Sequence, residues 1–277
     1  MQKGKRDLDT KKRIKRRQQR TLLKVGLSLF ILVGVCTLLY SVPRFPQLTI
    51  EQVSVHGNEV VSTATIERTV EDKLSGFYVH FFPRRTAFLY PKEALTEALQ
   101  TLDPHIESAS VSLSNFHTLE VEVLERKPFA LYCGSEVVAT SSTCYFLDED
   151  GYIFSDAPQF SDAPFISFYG TTTAPIITSH LLRKDEFKAV SYTVQELAKL
   201  HYEVIRIALK EEGLVEMTLK IGAKILFAQD SDYGKALNNL KALVSSDSFK
   251  EKNAEGMVQV DYIDLRFGNK VFYKSRK

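Results

Sequence analysis

The run Val25 to Val42, VGLSLFILVGVCTLLYSV, holds eighteen residues with no charge and no proline. At about 1.5 Å per residue, a helix of that length covers ~27 Å, and Leu22 and Leu23 carry it towards the ~30 Å of a hydrocarbon core. Only a helix crosses such a layer alone, because each backbone N–H and C=O finds its partner within the segment. The alternative is a buried core helix, but the run shows no polar face at any helical spacing. It therefore predicts one transmembrane helix over 25–42.

The flanks orient that helix. Residues 1–24 carry eleven Lys or Arg against Asp7 and Asp9, a net +9 in a chain whose formal charge is +2, so the remainder sums to −7. Short basic flanks stay in the cytoplasm. The expectation is a cytoplasmic basic tail over 1–24, with about 235 residues on the far side. Nucleic-acid binding by the tail is an alternative, but topology and anionic lipid explain the charge more simply. Tyr40 falls where an interfacial aromatic belongs. A cleaved signal would need a small-x-small site, and YSVPRFP over 40–46 offers none. Cys36 follows Val35, where a lipoprotein site would want a smaller residue.

Two further cysteines, Cys133 and Cys144, lie beyond the membrane, where disulfides persist. They flank GSEVVATSST, a hairpin-like stretch across which they could face one another. Two free thiols acting as small apolar residues are the other option, because sequence does not give the Cα separation that bonding requires.

After Pro43 and Pro46, the segment 48–56 (LTIEQVSVH) has the β-branched alternation of a strand. Ser62 and Thr63 can cap a helix whose Ile66, Val70 and Leu74 share one face. Phe77 to Tyr90, FYVHFFPRRTAFLY, is aromatic with a basic centre. Its rings are expected to plug the core, with contact to lipid headgroups as the alternative. Pro91 opens a second helix carrying Leu95, Ala98, Leu99 and Leu102. Ile106–Leu113 and Leu119–Val123 then alternate as two half-buried strands.

Strand, helix, helix, strand, strand is an α+β layer with both helices on one face. The segment Leu48–Arg126, directly after a single membrane helix, resembles a POTRA domain. It runs into ERKPFALY (Glu125–Tyr132), a junction similar to that of the FtsQ/DivIB family of bitopic bacterial cell-division proteins. YFLDEDGYIF (Tyr145–Phe154) resembles the family's DxxG hairpin, and Asp264-Leu265-Arg266-Phe267 its DLRY/F ending. Each motif alone is unspecific; their order is specific. The resemblance implies a POTRA domain over 48–126 and an FtsQ-like β domain over 127–277, a mixed sheet with helices on one side. The chain has no Trp, so any indole contact made by relatives must be made differently here.

No GxSxG, HExxH, P-loop or GxGxxG is present. The six histidines have no ligand spacing, and Asp148-Glu149-Asp150 lacks a calcium pattern, so the triplet is expected as a solvated turn. No catalytic residue, metal or cofactor is expected. Arg266 is read as structural. What remains is binding by shape, and a sheet edge accepts an added strand. Lys270, Val271, Phe272 and Tyr273, on the last strand, are the expected partner-binding residues, with Phe272 and Tyr273 as anchors. The alternative is that this strand only closes the sheet. In FtsQ-like proteins the corresponding strand receives FtsB, itself paired with FtsL. The resemblance thus implies a non-enzymatic scaffold at the septal inner membrane, linked through FtsB/FtsL-type partners to the wall synthase. A POTRA-bearing assembly or transport component and a membrane-anchored wall hydrolase are the rivals.

Overall fold

The computed structural model describes residues 22–38, 41, 46–79, 82–135, 143–162, 164–172, 175–252 and 256–276. The basic segment 1–21, Tyr40, Pro43 and the loop 136–142 lie outside the described residues.

Residues 22–38 form helix α1. Among the described residues no helix is long and apolar enough to cross a membrane, and the expected span over 25–42 runs on into residues that lie outside them. The apolar side chains of α1 are exposed along the helix, from Val35 at 50% to Phe30 at 77%.

The chain divides into two units, Met1–Leu124 and Glu125–Lys277. The first contains β1 (Gln52–His56), α2 (Thr63–Leu74), the small hairpin β2 (Phe77–Tyr78) and β3 (Phe82–Pro83), α3 (Lys92–Gln100), β4 (Ile106–Leu113) and β5 (Thr118–Glu125). β5 lies between β1, which it pairs in parallel, and β4. Its alternation decides which face is covered. Leu119, Val121 and Val123 enter a core with Ile66, Val70 and Leu74 of α2 and Leu95 and Leu99 of α3. Gly57 makes the turn after β1 at φ +84°, and a Cβ there would stand 2.1 Å from the Val123 carbonyl oxygen.

Two expectations are corrected here. Ser62 occupies the N-cap of α2 but its side chain makes no capping bond. Asn58 holds the turn instead, donating to the Val61 carbonyl (2.8 Å) and to Thr63 Oγ1 (3.0 Å). The aromatic segment plugs the core only in part: Tyr90 packs against it, whereas Phe77 and Phe88 are exposed, and Thr86 and Ala87 are buried. Backbone pairing with residues 48–50 brings this stretch close to its neighbours, so the inward positions go to small side chains.

The second unit contains β6 (Ala130–Tyr132), β7 (Tyr145–Leu147), β8 (Ile153–Asp156), β9 (Ser167–Tyr169), α4 (Lys184–Lys199), β10 (Val204–Lys210), β11 (Leu214–Leu219), β12 (Lys224–Ala228), α5 (Tyr233–Ser245), α6 (Asp247–Lys252), β13 (Val260–Phe267) and β14 (Lys270–Ser275). The strands form one nine-stranded mixed sheet in the order β14-β13-β12-β11-β10-β9-β6-β7-β8. Register aligns Phe168, Ile207, Met217, Ile225, Ile263 and Tyr273 in one row across six strands. This row joins the core built with Phe187, Val190 and Leu197 of α4 and Ala236, Leu237 and Leu240 of α5. α4 and α5 touch each other and share this cluster, so both cover the same face.

Candidate partner-binding edge

The next row of the sheet points the other way, because successive side chains alternate across a strand. It runs Tyr169, Ala208, Glu216, Leu226, Asp264, Phe272. In its middle, Glu216 is buried and takes Lys210 at 2.9 Å and Lys224 at 2.8 Å. Burial pushes the Glu216 carboxyl up, and the bonds from Lys224 and Lys210 outweigh that, leaving it below the ordinary range.

Asp264 on β13 is equally enclosed, at 6% exposure. Arg266 donates to it through Nε (2.9 Å), Nη2 (2.7 Å) and its backbone N–H (3.1 Å). Burial raises the Asp264 carboxyl, and the Arg266 side chain, backbone and charge overcome this, so it is lowered on balance. The Asp-Leu-Arg sequence therefore forms a local clamp on the outward face, and Arg266 is structural as the sequence reading holds.

β14 is the last strand of the sheet. It pairs antiparallel with β13, with register breaks between Val260 and Tyr262 and between Asp264 and Phe267. No described strand pairs with its other edge. Exposure alternates along it: Lys270 and Phe272 are exposed, Val271 and Tyr273 half-buried. Tyr273 meets Phe249 of α6 edge-on at 5.2 Å, whereas Phe272 meets Phe267 edge-on at 5.4 Å. The two aromatics singled out from sequence thus stand on opposite faces, Tyr273 against the helices and Phe272 outward. Phe272 and Phe267 are 51% and 54% exposed, a ring pair facing solvent beside an unpaired strand edge. The turn joining β13 to β14 is held by Asn239 of α5, whose Nδ2 donates to the Gly268 carbonyl at 2.6 Å.

Phe267 is the residue that the sequence reading passed over. Its signal was available: it pairs with Lys270 across the Gly268-Asn269 turn, and Phe272 lies two residues further on the same face, a diagonal neighbour.

The remaining expected residues gather at the opposite end of the sheet. Cys133 and Cys144 form a disulfide with Cα atoms 4.2 Å apart, one step beyond the Tyr132–Tyr145 pair of β6 and β7. Asp148 is not in a solvated turn. It is buried, its Oδ1 accepts the backbone N–H groups of Asp150 and Tyr152, and its Oδ2 accepts from Arg126. The Arg126 guanidinium also lies over the Tyr152 ring at 4.2 Å. The two motifs Glu-Arg-x-Pro and Asp-x-x-Gly are thereby one unit, an arginine locked by an aspartate. Gly151 completes it at φ +78°, where a Cβ would lie 2.6 Å from the Phe187 ring. Asp150 instead faces Lys184 (2.5 Å) and Lys188 (3.0 Å), and the bond from Lys184 leads in lowering its carboxyl. Among the described residues no group of three or more His, Cys, Asp or Glu is placed to hold a metal.

Comparison with known families agrees with this layout. A family model described as POTRA domain, FtsQ-type matches residues 48–126. A second, described as Cell division protein FtsQ/DivIB, C-terminal, matches residues 136–266. The comparison with curated proteins finds no match. A POTRA domain leading into a β domain of this kind defines a two-domain protein of the cell-division class. The chain belongs to the FtsQ/DivIB family. Membership supports a role in cell division, and the family is one of non-enzymatic division scaffolds.

Proposed function

We infer that this chain is a bitopic scaffold of the bacterial division machinery that binds an FtsB/FtsL-type partner by strand addition to β14. Through that partner it connects to the septal wall synthase. The observation that carries this reading is the open edge of β14 with Phe272 and Phe267 exposed beside it. An incoming segment gains main-chain hydrogen bonds along the edge, and its alternate side chains meet the ring pair. Lys270 and Val271 contribute the backbone edge, while Tyr273 acts indirectly by fixing the strand against Phe249.

α1 supports the membrane anchor. A helix whose apolar side chains are exposed throughout needs an apolar surrounding, and the basic residues before it favour a cytoplasmic N-terminus. The inner membrane at the division septum is the corresponding location. No side chain has to perform chemistry in this scheme.

Phe272→Glu tests it. The substitution places a charge in the ring pair, and such anchors cost about 2 kcal/mol or more, roughly 30-fold in affinity. The expected result is loss of pull-down of an FtsB-type partner by a protein that remains folded. Unchanged pull-down by Phe272→Glu and Phe267→Glu removes the edge from consideration.

A further inference from the structure

Five large apolar side chains of the first unit are exposed around the segment that follows α2: Phe77 (56%), Val79 (77%), Phe88 (66%), Leu89 (40%) and Phe116 (50%). Two of them form a pair, since the rings of Phe88 and Phe116 lie 5.5 Å apart. They come from separate parts of the chain, one from the loop after β3 and one from the turn between β4 and β5. What brings them together is the strand that enters the domain. On one side, the Ile50 N–H donates to the Arg85 carbonyl (2.9 Å) and the Ala87 N–H to the Leu48 carbonyl (2.8 Å). On the other, Glu51 and Gln52 N–H donate to the His117 carbonyl at 2.7 and 3.0 Å. The ring pair therefore straddles residues 48–52.

That position is next to the end of the apolar run. The six residues 43–48 lead from Val42 into the domain at Leu48, about 20 Å of extended chain. Pro46–Leu48 forms a 3₁₀ turn, which shortens the reach further. If 25–42 crosses the bilayer, the entrance of the first domain hangs within that distance of the lipid surface, and so does the ring pair beside it. Large exposed apolar patches rarely face water without purpose, and aromatic rings gain free energy at the lipid–water boundary.

We propose that the Phe88–Phe116 ring pair seats the first domain on the outer surface of the bilayer that holds α1, with lipid at the headgroup–acyl boundary as its occupant. The seat rests on the membrane-anchor reading above. It restrains the tilt of the domain about its six-residue tether. The rigid connections are the backbone bonds from 48–52 to 85–87 and 117, so the rings move with the entering strand as one piece.

The chain has no Trp, so a single introduced indole reports on its own site. The full chain is reconstituted in phosphatidylglycerol–phosphatidylethanolamine vesicles with acyl chains brominated near the headgroup. Three variants are compared: Phe88→Trp, Phe116→Trp as a second probe of the same seat, and Phe30→Trp within α1. The expected result is blue-shifted emission with loss of most of its intensity to bromine for all three. Quenching of Phe30→Trp with red, unquenched emission from Phe88→Trp and Phe116→Trp overturns the seat and leaves the anchor standing. Blue but unquenched emission from the seat probes also overturns it, because a protein surface then covers the rings. An unquenched Phe30→Trp overturns the anchor and the seat together.

Discussion

At one end of the nine-stranded sheet, the Ile153 N–H of β8 donates to the Ser179 carbonyl (2.9 Å), its carbonyl accepts from the Thr178 N–H (2.8 Å), and the Leu181 N–H donates to the Gly151 carbonyl at 3.0 Å. At the other end, β14 pairs with β13 alone among the described strands and exposes Phe272. Both are edges of the same sheet, and an unprotected edge is a hazard that proteins normally cover. The β8 end is overbuilt: the segment 178–181, the Cys133–Cys144 disulfide and the Arg126–Asp148 pair all secure it. The β14 end has one turn held by Asn239 and a local Asp264–Arg266 clamp. The difference bears on where the proposed guest strand would fit. One end is closed by the chain itself, and the other has no described strand on its outer side.

This contrast can be broken from the closed end first. Gly151→Ala forces a positive-φ side chain into the Phe187 ring and should cost about 3 kcal/mol of stability. Chemical denaturation of the portion after α1 measures it, and partner affinity of the still-folded fraction should not change. Replacing both Cys133 and Cys144 by Ala removes a short covalent loop and should cost about 2–3 kcal/mol. Reduction of the unaltered protein should lower its unfolding midpoint in parallel. If either change abolishes partner binding at a temperature where the domain is folded, the two ends are not independent.

The smallest expected effect is electrostatic and lies at the open end. The Asp264 carboxyl is lowered in the folded state, so its contribution is present above the unfolded value and is lost as pH falls through the folded one. Stability should therefore decline below about pH 4. Asp264→Asn should be less stable near neutral pH and show a shallower acid loss, read from urea midpoints at pH 7, 5 and 3. The lowered Glu216 keeps part of the acid sensitivity in that variant.

Much of this fold was legible in sequence because period and order are local. Leu119, Val121 and Val123 declare their face by alternation, and Ile66, Val70 and Leu74 by helical spacing. Residues 270–273 stood out as a short strand near the chain end, although sequence does not fix the strand order, and the disulfide was one of two readings left open. Side-chain placement across loops was less legible. Asp148 looked solvated because Asp-Glu-Asp-Gly is turn chemistry, and only the fold brings Arg126 to it across 22 residues. Phe88 looked like core because it is aromatic, yet backbone pairing with 48–50 gave the inward places to Thr86 and Ala87. Tyr273 and Phe272 were grouped by adjacency, where the period of two separates them.

The most direct measurement is amide hydrogen exchange of the portion after α1 with and without the FtsB-type segment. Slowed exchange over residues 270–275, with no change over 151–156, is the predicted result. Unaltered exchange over 270–275 in a saturated complex would contradict the assignment of β14 as the seat.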